Sequence, residues 1–245
     1  MSEYNSLAMF YDGLTKDVNY EEFADFYDEI FALYGVQAET IADLACGTGT
    51  LTALLSDRGR DCIGIDSSAD MLSIAFEKTA SLEKKPLFLC QRLEGLDLYG
   101  TVDAAICSLD GINHIPPENL DEVFKKVSLF LNPDGIFIFD VISPSALMSL
   151  DGEMFVDETE DVFCVWRCEY DGVKNACTYG FDFFARAGNA WSRQSEEHIE
   201  YAHELRFLEE KLTENGFCDI KAFGEMRLLP PEGEERRIFF AAKKK

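Results

Sequence analysis

Two glycines, Gly47 and Gly49, sit in ADLACGTGTLT (42–52), between a short apolar run and the start of a helical pattern. Glycines spaced this way let the backbone turn tightly and approach a ligand closely. Asp43 lies inside the apolar run before the turn, and Asp66 ends the next apolar run, DCIGID (61–66). In an open parallel sheet, the end of the second strand borders the crevice beside the first. A carboxylate there accepts two hydrogen bonds from a ribose diol; it also suits the N-cap of a helix over SSADML. A dinucleotide fingerprint would place a third glycine at position 52, where this chain has Thr52. Asp43 would repel a pyrophosphate but attract an ammonium group. These features disfavour a nicotinamide oxidoreductase. An adenosine ligand with a cationic amino acid end and no phosphate satisfies both acids, and S-adenosylmethionine is such a ligand.

The elements that must position these groups follow from periodicity. Residues 20–34, YEEFADFYDEIFALY, carry apolar side chains at helical spacing. Strands are predicted over 40–46, 61–66, 86–91, 102–109 and 136–142. Helices are predicted over 50–57, 69–80 and 116–131, the last opened by Pro and Asn. Near-continuous apolar strands alternating with helices imply a parallel sheet covered on both faces. The alternation stops at 151–200, where aromatic- and Cys-rich runs separated by DG and AGN turns suggest an antiparallel meander. A helix over 201–215 and two strands, FCDIKAFG and RRIFFAAK, follow. The expected fold is α/β: a doubly wound, mostly parallel sheet of seven strands with a β-rich insertion after the fifth.

The 245 residues hold 46 Asp and Glu against 22 Lys and Arg, a net charge of −24. That balance disfavours phosphate-backbone binding and docking on an anionic membrane. The charge is unevenly placed: residues 1–40 hold 9 acids and 1 base, and 151–200 hold 12 acids and 4 bases. The N-terminus has neither a basic region nor an apolar core, and no apolar run is long enough to cross a membrane. The eight cysteines are scattered, and Cys164 and Cys168 have no nearby His to complete a zinc site. They read as small apolar side chains in a reducing, cytoplasmic setting.

DLACGTGTLT, GIDSSADML, VDAAICSLDGINHI and LNPDGIFIFDV, in this order, resemble the successive motifs of class I S-adenosylmethionine-dependent methyltransferases over about residues 4–142. R-x-x-E-x-H at 193–198, the helix after it and NGF are similar to a bacterial branch acting on small molecules. FYDGL and YEEF resemble the same branch. The resemblance implies a Rossmann-like core over 40–143 and 201–245, a helical N-terminal cover over 1–39 and an inserted antiparallel β lid over 144–200. It implies that Gly47 and Gly49 pass under the methionine part, with Asp43 reaching its ammonium directly or through water. Asp66, followed by Ser67, would hold the ribose hydroxyls, Met71 would lie against the adenine, and Tyr11 would close over the methionine end. Gln91, Arg92 and Leu93 fall where such enzymes read the adenine edge, and Cys107 would end the fourth strand near the sulfonium. Arg92 departs from the Asp often found there, since a guanidinium cannot accept a hydrogen bond. Either Arg92 stacks or pairs with an acid, or a backbone carbonyl reads the amine.

Methyl transfer is an in-line displacement that needs a positioned nucleophile and exclusion of water. The candidates to line the acceptor pocket are Asp110, Asn113 and His114 after the fourth strand, and Arg193, Glu196 and His198 on the lid. His114 or His198 would serve as general base for an amine or hydroxyl; Arg193 and Glu196 also suit an ion pair that shapes the lid. His203 belongs to the following helix and is set aside. Asp110 and Asp140 end adjacent strands, but no third metal ligand is evident, so no metal is expected. Trp166, Trp191, Phe181, Phe183 and Phe184 are read mainly as lid core. The expected activity is N- or O-methylation of a small molecule, the alternatives being tRNA modification or a non-catalytic S-adenosylmethionine-binding protein. With the acid-rich segments as cover and lid, an acidic mouth favours an amine or other cationic acceptor.

Overall fold

A computed structural model describes residues 7–188, 190–233 and 235–245. The first six residues of the expected cover lie outside them. Helix α1 spans Leu7–Leu14 and α2 spans Tyr20–Tyr34. The Asn19 side chain accepts from the Glu22 amide at 3.3 Å to start α2. Gly35, at φ 67°, ends it in the left-handed region that glycine adopts freely.

The alternating pattern then produces β1 (Thr40–Leu44), α3 (Thr50–Asp57), β2 (Asp61–Asp66), α4 (Ala69–Thr79), β3 (Leu87–Cys90), β4 (Val102–Cys107), α5 (Leu120–Phe130) and β5 (Leu131–Ile142). Strand β5 begins five residues earlier than its apolar run because Leu131 already pairs with Val102. After α6 (Pro144–Ser149) come β6 (Met154–Glu158), β7 (Val162–Asp171), β8 (Ala176–Ala187) and β9 (Ala190–Tyr201). Helix α7 (Leu205–Glu214), β10 (Phe217–Phe223) and β11 (Arg237–Lys244) complete the chain. The helix expected over 201–215 starts only at Leu205, because the β8–β9 ladder runs on to the Ala176–Tyr201 pair.

The main sheet has the order β10-β11-β5-β4-β1-β2-β3. Its strands β1 to β5 are parallel, while β11 runs antiparallel to both β5 and β10. Strand parity sorts the core. Ile136 and Ile138 join the side chains of α2 and α3, whereas Phe137 and Phe139 join those of α5 and α7 on the other face. Strands β6-β7-β8-β9 form a separate antiparallel sheet inserted after β5. Helix α1 is wedged beside it: Ala8, from α1, packs with Met71 of α4 and with Val162, Cys164 and Phe183 of the inserted sheet.

On the α2 side, Phe239 of β11 is fully buried and meets the rings of Phe23, Phe26 and Tyr27 at centroid distances of 5.7, 5.0 and 6.4 Å. Phe239→Ala removes the shared partner of all three rings. It is expected to cost about 3–5 kcal/mol, measured as a lower denaturation midpoint by circular dichroism in urea.

Candidate active site

A cavity of about 480 Å³ runs from the glycine turn, across the carboxyl ends of β1, β2 and β4, to the inner face of the inserted sheet. Its size is that of a small-molecule site. One half is built by the turn after β1. Gly47 and Gly49 hold φ values of 55° and 70°. A Cβ on Gly49 would meet the Ala75 Cβ at 2.8 Å, so this glycine lets α4 approach. A Cβ on Gly47 would meet nothing within 4 Å, which leaves that face of the turn open to a ligand.

Asp43 lines this half and is almost wholly buried. The Thr52 hydroxyl donates to its Oδ2 at 2.5 Å. The residue that replaces the third glycine of a dinucleotide motif is therefore the hydrogen-bond partner of Asp43. Burial pushes the Asp43 carboxyl up to about 7, helped by the charge of Asp66 and opposed by the Thr52 bond. Asp66 accepts from the Gly47 amide at 2.9 Å and the Ser68 amide at 2.8 Å. It thus serves the start of α4 and the glycine turn together, and each of its oxygens keeps a second lone pair.

Tyr11, Ser67, Met71, Gln91, Arg92 and Leu93 all line the cavity. The Gln91 side chain is engaged with the backbone of Asp97, donating at 3.1 Å and accepting at 3.0 Å, and braces the loop after β3. Arg92 pairs with Glu94 at 3.2 Å, one of the arrangements its charge allowed. Cys107 is a correction. It is fully buried among the α5-side core residues, because its parity on β4 turns it from the cavity. The next residue, Ser108, lines the cavity instead and shares a 2.7 Å hydrogen bond with the Tyr27 hydroxyl.

The other half begins with Leu109 and Asp110, both in the left-handed region at φ 55° and 58°. Their amides donate to the two oxygens of Asp140, each at 2.9 Å. Arg237 of β11 bonds Asp140 and also reaches Asp110 Oδ1 at 2.7 Å. Asp110 and His114 face the cavity; Asn113 does not. Asn113 is fully buried and accepts from the Ile142 amide at 2.9 Å while donating to the Ile142 and Tyr201 carbonyls. It joins β5 to the end of β9, a structural task.

On the inserted sheet, Glu196, His198 and Glu200 pair with Phe181, Tyr179 and Cys177 and so share one face. His198 and Glu200 line the cavity, with His198 Nε2 3.4 Å from Glu196 Oε2. Glu200, absent from the sequence-based candidates, was findable by continuing the alternation of Glu196 and His198. Arg193 has the opposite parity and pairs with Asp182 at 2.7 Å on the outer face, so it does not pair with Glu196. His203 lies before α7 and is buried, with Nε2 3.2 and 3.1 Å from the Ile112 and Ile115 carbonyls.

Asp110, His114 and Glu200 each bring one ligand-type atom within 4.8 Å of the others. Beside Asp110, the fold thus assembles the acid–histidine trio that was not evident in the sequence, while Asp140 turns to Arg237. Burial lowers the pKa of His114, whose Nδ1 lies 3.2 Å from the Ile199 carbonyl. Burial and the charge of Asp110 push Glu200 well above the usual carboxylate range; its Oε2 accepts from the Tyr179 hydroxyl at 3.2 Å. Trp166, Tyr179 and Phe181 complete the wall. Trp191 is half-exposed at the far end of β9, Phe183 packs with α1 and Phe184 packs with Phe163.

No described helix is long and apolar enough to cross a membrane, and all eight cysteines are free thiols. Residues 41–135 match the family described as Methyltransferase domain. The chain is 30% identical to YqeM of Bacillus subtilis, by name a methyltransferase, over 98% of this chain and 97% of that one. It is 31% identical to an S-adenosylmethionine-dependent methyltransferase from Clostridium acetobutylicum, with a TM-score of 0.88 over 98% of each chain. A sugar N-methyltransferase from Streptoalloteichus, 18% identical, shares the fold with a TM-score of 0.80 over 97% of this chain and 92% of its own. The chain belongs to the class I S-adenosylmethionine-dependent methyltransferases.

Proposed function

We propose that the protein methylates a nitrogen or oxygen of a small molecule, a cationic amine being preferred, in a chamber closed by residues 1–39 and 144–200 over a core of 40–143 and 201–245. The observation that carries this reading is the continuity of the cavity. It joins an open glycine turn with two flanking carboxylates to a second polar cluster beneath the inserted sheet. S-adenosylmethionine supplies a sulfonium methyl group, whose carbon–sulfur bond breaks with the electron pair left on sulfur. Gly47 gives that ligand room, Asp43 faces its ammonium and Asp66 offers lone pairs to its ribose. Asp110, His114, His198 and Glu200 surround the acceptor position. His114, kept neutral by burial, has the lone pair to take a proton from the acceptor. Aromatic and aliphatic walls exclude water that would compete with the acceptor.

The cation preference rests on charges inside the chamber more than on the acid-rich segments as a whole. Glu21, Asp25 and Asp28 of α2 are paired with Arg58 and Arg60, on α2's side of the fold. Asp110, Asp157 and Glu200 line the chamber, with Asp110 already paired to Arg237, which lines it too together with Arg236. A bound cation favours the ionised form of Glu200, which burial opposes, and the two are thermodynamically linked.

Calorimetric titration tests the cofactor half: S-adenosylmethionine and S-adenosylhomocysteine should bind more tightly than about millimolar, and the absence of heat at that level refutes the reading. Asp43 must be ionised to hold an ammonium, so affinity should fall as pH drops through about 7. Asp43→Asn should bind more weakly and lose that pH dependence. The sign for the unliganded fold is opposite. A carboxyl raised from 3.8 to about 7 contributes stability that fades as pH rises through that window. For the acceptor half, rates with matched amine and carboxylate acceptors at low and high salt should show an amine preference that salt weakens.

A further inference from the structure

The inner face of the inserted sheet carries an aromatic row, with Glu196 and His198 of β9 opposite Phe181 and Tyr179, and Asp157 of β6 beside Trp166. Cross-strand pairing sets Trp166 directly opposite Phe181, and Tyr179 follows on the same face. The ring planes are nearly parallel: Trp166 and Phe181 are 6.0 Å apart at 24°, Tyr179 and Phe181 6.4 Å apart at 18°. Phe155 stacks on Trp166 at 4.2 Å and holds that ring from the side. The polar atoms of this wall already have partners. Trp166 Nε1 donates to Asp157 at 2.8 Å, and the Tyr179 hydroxyl donates to Glu200. Ile142 and Leu150 add aliphatic surface to the same chamber. Asp110, His114 and Glu200 stand together at the other end, beside the carboxyl end of β4.

We infer that the acceptor is an arylalkylamine: a flat aromatic ring held along Trp166 and Phe181, with its amino group among Asp110, His114 and Glu200. This deepens the proposed function and rests on it. Stacked rings accept another ring in offset or edge geometry, and they attract an ammonium through their faces. A polyhydroxylated acceptor fares worse, because each hydroxyl buried against a wall with engaged polar atoms loses hydrogen bonds it made to water. In the transfer, the ammonium first gives a proton to His114 and thence to solvent. The freed nitrogen lone pair forms the new bond to carbon as the carbon–sulfur bond breaks, and sulfur leaves as a neutral thioether. The methylated ammonium then sheds its proton or departs charged.

The chain has 2 tryptophans, so Trp191→Phe leaves Trp166 as the only one. Trp191 lies outside the chamber lining, half-exposed beside Arg186. With this variant saturated with S-adenosylhomocysteine, 2-phenylethylamine should change Trp166 fluorescence saturably. Glucosamine and 3-phenylpropionate should bind at least about tenfold more weakly. Phe181→Leu, with its fold checked by circular dichroism, should weaken the phenylethylamine response about tenfold and leave the heat of S-adenosylhomocysteine binding unchanged. Glucosamine binding as tightly as phenylethylamine overturns the inference. So does the absence of any phenylethylamine response while the S-adenosylhomocysteine heat persists. Loss of the response on chelation with EDTA overturns it too, because a divalent ion would then occupy the acid–histidine trio. Absence of the S-adenosylhomocysteine heat itself refutes the proposed function instead.

Discussion

One guanidinium organises the acceptor side. Burial works against the charge of Arg237, and Asp140 and Asp110 more than restore it, holding the group above the ordinary arginine range. Asp140, fully buried in β5, is pushed up by burial and pulled back first by Arg237. Through its two oxygens it also fixes the amides of Leu109 and Asp110, two non-glycine residues in left-handed backbone. Such conformations persist only where the surroundings over-determine them. Removing the guanidinium would leave a buried carboxylate without its cation, a loss far larger than the net worth of an exposed ion pair. The loop that presents Asp110 and His114 therefore depends on a residue of the last strand.

The cofactor side depends on a smaller device. Thr52 sits in the first turn of α3, where its hydroxyl reaches back to the strand carrying Asp43. A glycine at this position would leave Asp43 with burial and no donor. The departure from the dinucleotide pattern and the acid inside β1 are thus coupled, the threonine supplying the donor that the buried carboxyl needs.

Local signals made much of this legible beforehand. Helix α2, strand β2 and helix α3 fall at their expected residues because apolar periodicity, caps and the glycine turn act within a few residues of each other. The inserted sheet was legible as a meander for the same reason. The misplaced residues share a different cause. Whether Cys107 or Ser108 faces the cavity depends on the face that β4 presents once paired, and Asn113 was drawn inward by Ile142 and Tyr201. Arg237 meets Asp140 across 97 residues of chain, and no local pattern marks such a pair. Glu200 was the exception, missed although the period of two continued to it.

The polar network over the glycine turn bears on how the chamber exchanges its contents. Asp12 of α1 accepts from Thr48 at 2.6 Å and pairs with Lys78 of α4 at 2.8 Å, while Lys78 donates to Thr50 at 2.6 Å. Two residues earlier, on the other side of the helix, Phe10 approaches Phe183 of the inserted sheet at 6.4 Å. Helix α1 is therefore riveted to both walls, by charge on one side and by an aromatic contact on the other. A displacement of α1 that frees the turn also loosens its contact with the inserted sheet.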